Sequence, residues 1–221
     1  MSPKPLHILI TAGPTREYLD SVRYISNPSS GKMGFAIAAV AARRGHHVTL
    51  VSGPMELKPP ASVNTVRVET AAEMLAAARR AFRCADAAVF CAAVCDYRPL
   101  NRARRKLPKS QAALTLKLTP TPDIAATLGR VKGRRISIAF ALEDHDGRRK
   151  AEAKMIAKHA DAIVLNGPIN IGSDRATVEI LRHGGDWTAL PSATKPLIAK
   201  RLIELVEQIA GECGRAAPSR R

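Results

Sequence analysis

Aromatic residues are scarce, 4% of 221 with a single Trp, so a protein that grips single-stranded nucleic acid by stacking bases on rings would have few platforms here. Acidic residues are short as well: 19 Asp and Glu stand against 35 Lys and Arg, for a formal charge of +16. A surface that basic attracts polyanions, which narrows the partners to nucleic acid or small phosphorylated ligands. RNA-recognition, zinc-finger and helix-turn-helix signatures are missing, so nucleic acid is the weaker of the two. Apolar runs are short. None approaches the roughly 18 residues that would span a bilayer, and Met1–Pro5 offers no basic leader ahead of the run ending at Gly13. The expectation is a cytoplasmic protein with no membrane partner.

Cysteine is also sparse, and Cys84, Cys91, Cys95 and Cys213 form no paired CxxC units. They read as buried free thiols of a reducing compartment. A compact chain of this length buries about 70–75% of its unfolded surface and needs no disulfide staples. One domain over residues 1–211 is expected, followed by a basic, disordered tail over 212–221.

What is present is an alternation of short apolar runs and alanine-rich amphipathic stretches. His7–Ala12 reads as a buried strand stopped by Gly13-Pro14. Phe35–Arg44 reads as a helix with Gly45 behind it, and His47–Ser52 as the next strand, so the crossover implies a parallel pair. Thr65–Val68 and Ala87–Val94 are further strands around a helix over Ala71–Cys84, where Thr70 and Glu73 form a capping-box pattern. Ile136–Leu142, a helix over Arg148–His159 and Ala162–Leu165 repeat the unit. Thr177–Arg182 and Trp187–Leu190 flank a hairpin signal at His183–Asp186, and Lys195–Ala210 is a closing amphipathic helix. The fold class is α/β: a Rossmann-like, doubly wound, mainly parallel sheet, with a basic flap and a C-terminal hairpin plus helix.

Two segments resist that pattern. Gly13–Gly31 is a long polar loop, and loops of that length inside a compact domain are usually functional. Asp96–Ala113 is basic, contains Pro99 and Pro108, and reads as a mobile flap over something anionic. Ligands of open α/β sheets sit at the carboxyl ends of the strands, where both segments begin. Ser29, Ser30, Gly31 and Lys32 open a helix, and free amides with two hydroxyls and a lysine suit a phosphate. Neither the GxxxxGK[ST] loop nor the GxGxxG fingerprint is present: Ser26 and Met33 break the first, and the second is absent after the strand. A nicotinamide-dependent reductase is disfavoured on that ground.

The strings ITAGPT (Ile10–Thr15), VRYISNPSSGKMG (Val22–Gly34), CAAVCDY (Cys91–Tyr97) and TPDI (Thr121–Ile124) together resemble bacterial phosphopantothenoylcysteine synthetase. The similarity runs from about Leu6 to about Ala210 and is densest in the first hundred residues. That resemblance implies a ligase of coenzyme A biosynthesis. It would condense 4′-phosphopantothenate with cysteine through an acyl-cytidylate made from CTP, with Mg²⁺ accompanying the nucleotide. In many bacteria this activity is one half of a bifunctional protein whose other half is a flavin-dependent decarboxylase. No counterpart of that half is seen here, so a stand-alone synthetase without flavin is expected, working as a homodimer with the decarboxylase as a separate partner.

The resemblance also assigns residues. Asn27 matches an asparagine that contacts the acyl intermediate, its amide donating to the oxygen where charge grows. Lys106 matches the first lysine of a KxKK flap that neutralises the triphosphate, and is catalytic with Asn27. Cys91, Ala92, Asp96, Pro122, Asp123, Ile124, Ala125, Phe140, Lys154 and Lys158 match CTP contacts, the last two sharing a helix face at i, i+4. Arg23 is expected on the phosphate of phosphopantothenate, across a dimer interface, with Ser29, Ser30, Gly31 and Lys32 as further phosphate or phosphopantothenate contacts. No protein metal ligands are expected. Departures from the pattern are Pro108 in the flap, Cys95 for alanine, and Leu165-Asn166-Gly167 where Ala-Asn-Asp is usual. Pro108 and Gly167 keep a catalytically degenerate synthetase-like protein as an alternative, and the +16 charge keeps a basic nucleic-acid binder behind it.

Overall fold

The computed structural model describes residues 4–109 and 111–212. Strands β1 (His7–Ala12), β2 (Arg16–Tyr18) and β3 (Tyr24–Ser26) precede helix α1 (Lys32–Arg43). Next come β4 (His47–Ser52), β5 (Asn64–Arg67), α2 (Ala71–Phe82), β6 (Ala87–Phe90), β7 (Tyr97–Pro99) and β8 (Leu118–Pro120). The second half holds α3 (Ile124–Gly129), β9 (Ile136–Leu142), α4 (Gly147–Ala157), β10 (Ala162–Asn166), β11 (Arg175–Arg182), β12 (Trp187–Thr194) and α5 (Lys195–Glu212).

Eight strands form one sheet in the order β12-β11-β10-β9-β6-β1-β4-β5. Pairing is parallel from β5 across to β10, and antiparallel between β10, β11 and β12. The chain leaves β1 toward β4 on one side and returns to β6 on the other, which puts the topological switch between β1 and β6.

Period-two alternation sorts the core between the two faces. Ile8, Ile10, Val89 and Ile138 pack under α1 and α5. Leu9, Ala88 and Phe90 pack under α2 and α3, and Ala139, Ala141 and Ile163 under α4. The capping box forms as read: the Thr70 side chain accepts from the Glu73 amide at 3.2 Å, and the Glu73 carboxylate accepts from the Thr70 amide at 3.3 Å.

Several expectations change. The run Ala87–Val94 is a strand only to Phe90; beyond it the backbone bends into the crevice and bonds to β1's loop, Ala93 N–H donating to Gly13 O at 2.9 Å. The long loop holds the antiparallel pair β2–β3. The expected mobile flap begins with β7, paired to β8, and is stapled back onto that hairpin. Asp20, with a fully buried side chain, is the staple. Its carboxylate accepts from the Val22 and Arg23 amides at 2.8 Å and from the Leu107 amide at 3.1 Å, while the Arg23 guanidinium bridges Asp20 and Leu107 O. The Arg23 amide foremost, then these other donors, hold the Asp20 carboxyl far below the usual range. Cys84 is exposed rather than buried, Cys91 is half-buried and Cys95 is buried. Cys213 and the tail beyond Glu212 lie outside the described residues.

Gly34 sets the depth of α1 on the sheet. A Cβ there would fall inside contact distance of the Ala12 side chain, with the Ala12 Cα at 3.2 Å. Gly34→Ala is therefore expected to cost about 1–3 kcal/mol by overpacking, read as a drop in the urea midpoint.

Candidate active site

A cleft of about 480 Å³ opens at the carboxyl ends of β1, β6 and β9. One wall is the segment Asn27–Gly34. Gly31 caps α1 in the left-handed region, with φ 65°, and supplies no side-chain acceptor; the first turn holds no acid. The leading amides of α1 are left without a side-chain cap, and the helix dipole adds positive potential there. Ser29, Ser30, Gly31 and Lys32 all line the cleft at this point. Lys32 is held by exposed Asp174 at 2.6 Å, a pairing weak enough for an incoming anion to displace.

Asn27 stands at the lip of the cleft. Its Nδ2 donates to Ala93 O at 3.3 Å and Val94 O at 3.0 Å. Two carbonyl acceptors fix the amide orientation and occupy both of its protons, so Oδ1 is the group left for a ligand.

Cys91, Ala92 and Asp96 follow β6 and line the floor. Burial pushes the Cys91 thiol up to about 12 against the opposing pull of Lys195, so it stays protonated and unreactive. Thr121 ties the next loop on: its amide donates to Asp96 O at 2.9 Å and its hydroxyl to Cys95 O. That places Pro122, Asp123, Ile124 and Ala125 on the cleft. Asp123 caps α3 by accepting from Ala126 N at 2.9 Å, and pairs with Lys158 at 2.6 Å. Phe140 closes the floor from β9, and Lys154 reaches the rim, its ammonium 2.5 Å from Glu143.

Arg23 and Lys106 do not border this cleft within one chain. Arg23 is committed to Asp20 and Leu107, and Lys106 is carried with Leu107 by the same staple. The cleft also holds residues that sequence reading missed: Thr11, Asn166, Asn170 and Lys195. Asn170 donates to Asn166 Oδ1 at 2.6 Å and to Thr177 O at 2.8 Å, a bracket formed only when β10 meets β11. Lys195 did leave a signal: it shares the i, i+3, i+4, i+7 stripe of Ile198, Ala199 and Leu202, which is apolar otherwise.

A doubly wound sheet with uncapped helix amides and lysines gathered at its switch point defines the class of open α/β domains, with an arrangement whose chemistry suits phosphorylated ligands. The chain belongs to the family described as the DNA/pantothenate metabolism flavoprotein C-terminal domain, whose model matches residues 4–209. It is 44% identical over 209 residues to the coenzyme A biosynthesis bifunctional protein CoaBC of Escherichia coli K12, covering 91% of this chain and 51% of that protein. To the CoaBC of Bacillus subtilis 168 it is 34% identical over 213 residues, covering 94% and 52%. The chain thus spans about half the length of the curated relatives it matches. The crystal structure of a CoaBC C-terminal domain superposes with a TM-score of 0.83 at 37% identity, over 96% of this chain and 98% of that one.

Burial raises the Asp123 carboxyl, but the Ala126 amide and Lys158 outweigh it and leave it below its ordinary 3.8. A depressed carboxyl stabilises fully above the unfolded value and loses that contribution as pH falls through the folded one. Asp123→Asn keeps the cap acceptor and removes the charge. Wild type is expected to show the higher urea midpoint at pH 7, with the gap closing in acid below 3.8.

Proposed function

We propose that the chain condenses 4′-phosphopantothenate with L-cysteine in coenzyme A biosynthesis, activating the carboxylate as an acyl-cytidylate drawn from CTP. One observation carries the reading: Asn27, the α1 amides, the Asp96 and Asp123 loops and Lys154 with Lys158 border one cleft, in a chain 44% identical to the matching part of a coenzyme A biosynthesis protein.

An amine cannot usefully displace oxide from a carboxylate, so a better leaving group has to be installed first. A carboxylate oxygen attacks the α-phosphorus of CTP and pyrophosphate leaves with the electron pair of the broken P–O bond. The cysteine amine then adds to the acyl carbon, CMP departs, and the amine gives up a proton. No covalent enzyme intermediate is needed, so the protein's contribution is positioning and charge stabilisation. The α1 amides and Lys32 face the phosphates from one wall, and Lys154 and Lys158 from the other. Asn27, anchored through its NH₂ group, presents Oδ1 at the lip, where it can accept from the incoming amine; donation to the acyl oxygen requires release of the longer bond, to Ala93.

In this reading Mg²⁺ arrives on the nucleotide phosphates rather than in a protein cage. Its chemistry there would be neutralisation of phosphate charge. Arg23 and Lys106 act in this reading across a homodimer interface. Val22, Tyr24, Tyr97 and Leu100 are exposed on the same hairpin and flap, an apolar surface that fits burial against a second copy. A flavin-dependent decarboxylase would supply the partner activity, in the cytoplasm. Among the described residues no helix is long and apolar enough to cross a membrane.

With 4′-phosphopantothenate, cysteine and Mg²⁺, pyrophosphate release is expected with CTP and not with ATP. Release with ATP alone would overturn the nucleotide assignment, and silence with both would leave the degenerate reading standing. Asn27→Asp sets an oxygen against two carbonyl oxygens and adds negative charge beside the acyl phosphate. It is expected to slow amide formation at least tenfold while pyrophosphate release persists, measured by quenched single-turnover analysis; an unchanged amide rate removes Asn27 from the chemistry.

A further inference from the structure

Lys195 violates three local rules at once. It is only 8% exposed, on the buried stripe of α5. It opens that helix, where the macrodipole disfavours a cation, and the first turn carries no acid to compensate. Its ammonium makes no ion pair or side-chain hydrogen bond among the described residues, because the carboxylate beside it, Asp174, is taken by Lys32. Burial foremost, then the Lys32 charge, pull its pKa below the ordinary lysine value. A lysine so largely buried, whose ammonium opens on the cleft and has no carboxylate partner among the described residues, sits where packing alone would favour a methionine. Such a conflict between local rules and the residue present is the mark of a ligand site.

The ligand's chemistry follows from the surroundings. Lys195 lines the cleft with Lys32 and the uncapped first turn of α1. Two ammonium groups converging on free amides select a compact, multiply charged anion over a single carboxylate. We propose that Lys195 contacts the pyrophosphate end of the nucleoside triphosphate and, with Lys32 and the α1 amides, receives it as the leaving group. This rests on the ligase reading above. When the P–O bond breaks, the electron pair stays on the departing pyrophosphate, and Lys195 meets that charge without giving up its proton. Lys154 and Lys158, each already paired with a carboxylate, serve the opposite rim.

Calorimetric titration of the full chain in Mg²⁺ buffer, with inorganic pyrophosphate and separately with CMP, tests the assignment in wild type, Lys195→Met and Lys195→Arg. Lys195→Met is expected to weaken pyrophosphate binding roughly 10- to 100-fold, the range for a lost charged contact, with CMP affinity unchanged. Its thermal midpoint should equal or exceed that of wild type, and Lys195→Arg should recover most of the affinity. Unchanged pyrophosphate affinity in Lys195→Met overturns the inference and leaves the ligase reading intact. A lowered midpoint with both ligands weakened makes Lys195 a structural residue and overturns it too. Wild type that binds neither ligand overturns the ligase reading itself.

Discussion

The parallel pairing of β1 with β6 governs everything that follows. It aligns Ile8 to Thr11 with Ala87 to Phe90 and sends the two following loops side by side out of the sheet. Those loops are then sewn together: Ala93 N–H donates to Gly13 O, and Thr15 N–H to Ala93 O. Asn27 takes its orientation from the same stretch, since its acceptors are the carbonyls of Ala93 and Val94. A change that slid β6 along β1 would move the cleft floor, the Asn27 anchor and the Thr121 tether together, because each bonds to the segment just past Phe90.

The positive charge is not spread evenly in its effects. Many basic side chains are bound into ion pairs, such as Arg44 with Glu207 and Lys132 with Asp161. Around the cleft the pattern differs. Lys32 and Lys158 hold exposed carboxylates that a polyphosphate could displace, and Lys195 holds none among the described residues. The amides of α1 add partial charge that no acid in the helix's own first turn offsets. Positive potential is thus concentrated along the cleft.

Much of the scaffold was legible. Strands β1, β4 and β9 fall on the apolar runs because a strand buried on both faces has no room for polar punctuation. Helix α2 begins where Thr70 and Glu73 said it would, since that cap is made by neighbours in the chain. The shorter elements were not legible. Strands β2, β3, β7 and β8 are three residues each, too short for periodicity, and exist because of partners elsewhere. Helix α3 spans six residues after the Asp123 cap, again below the length at which a repeat declares itself.

The candidate site divides along the same line. The residues by themselves determined its chemistry: a Gly-led helix start, a lysine pair four apart, an asparagine in a tight polar string, all local features that survive without knowledge of the fold. Tertiary structure alone decided which groups meet and which do not. Lys106 lies outside the cleft because buried Asp20, 86 positions earlier in the chain, holds the adjacent Leu107 amide. Lys195 enters it because β12 returns along the sheet edge and starts α5 beside α1 and Cys91. Contacts between residues so far apart in the chain depend on how layers stack, and no pattern within a window of sequence encodes that distance.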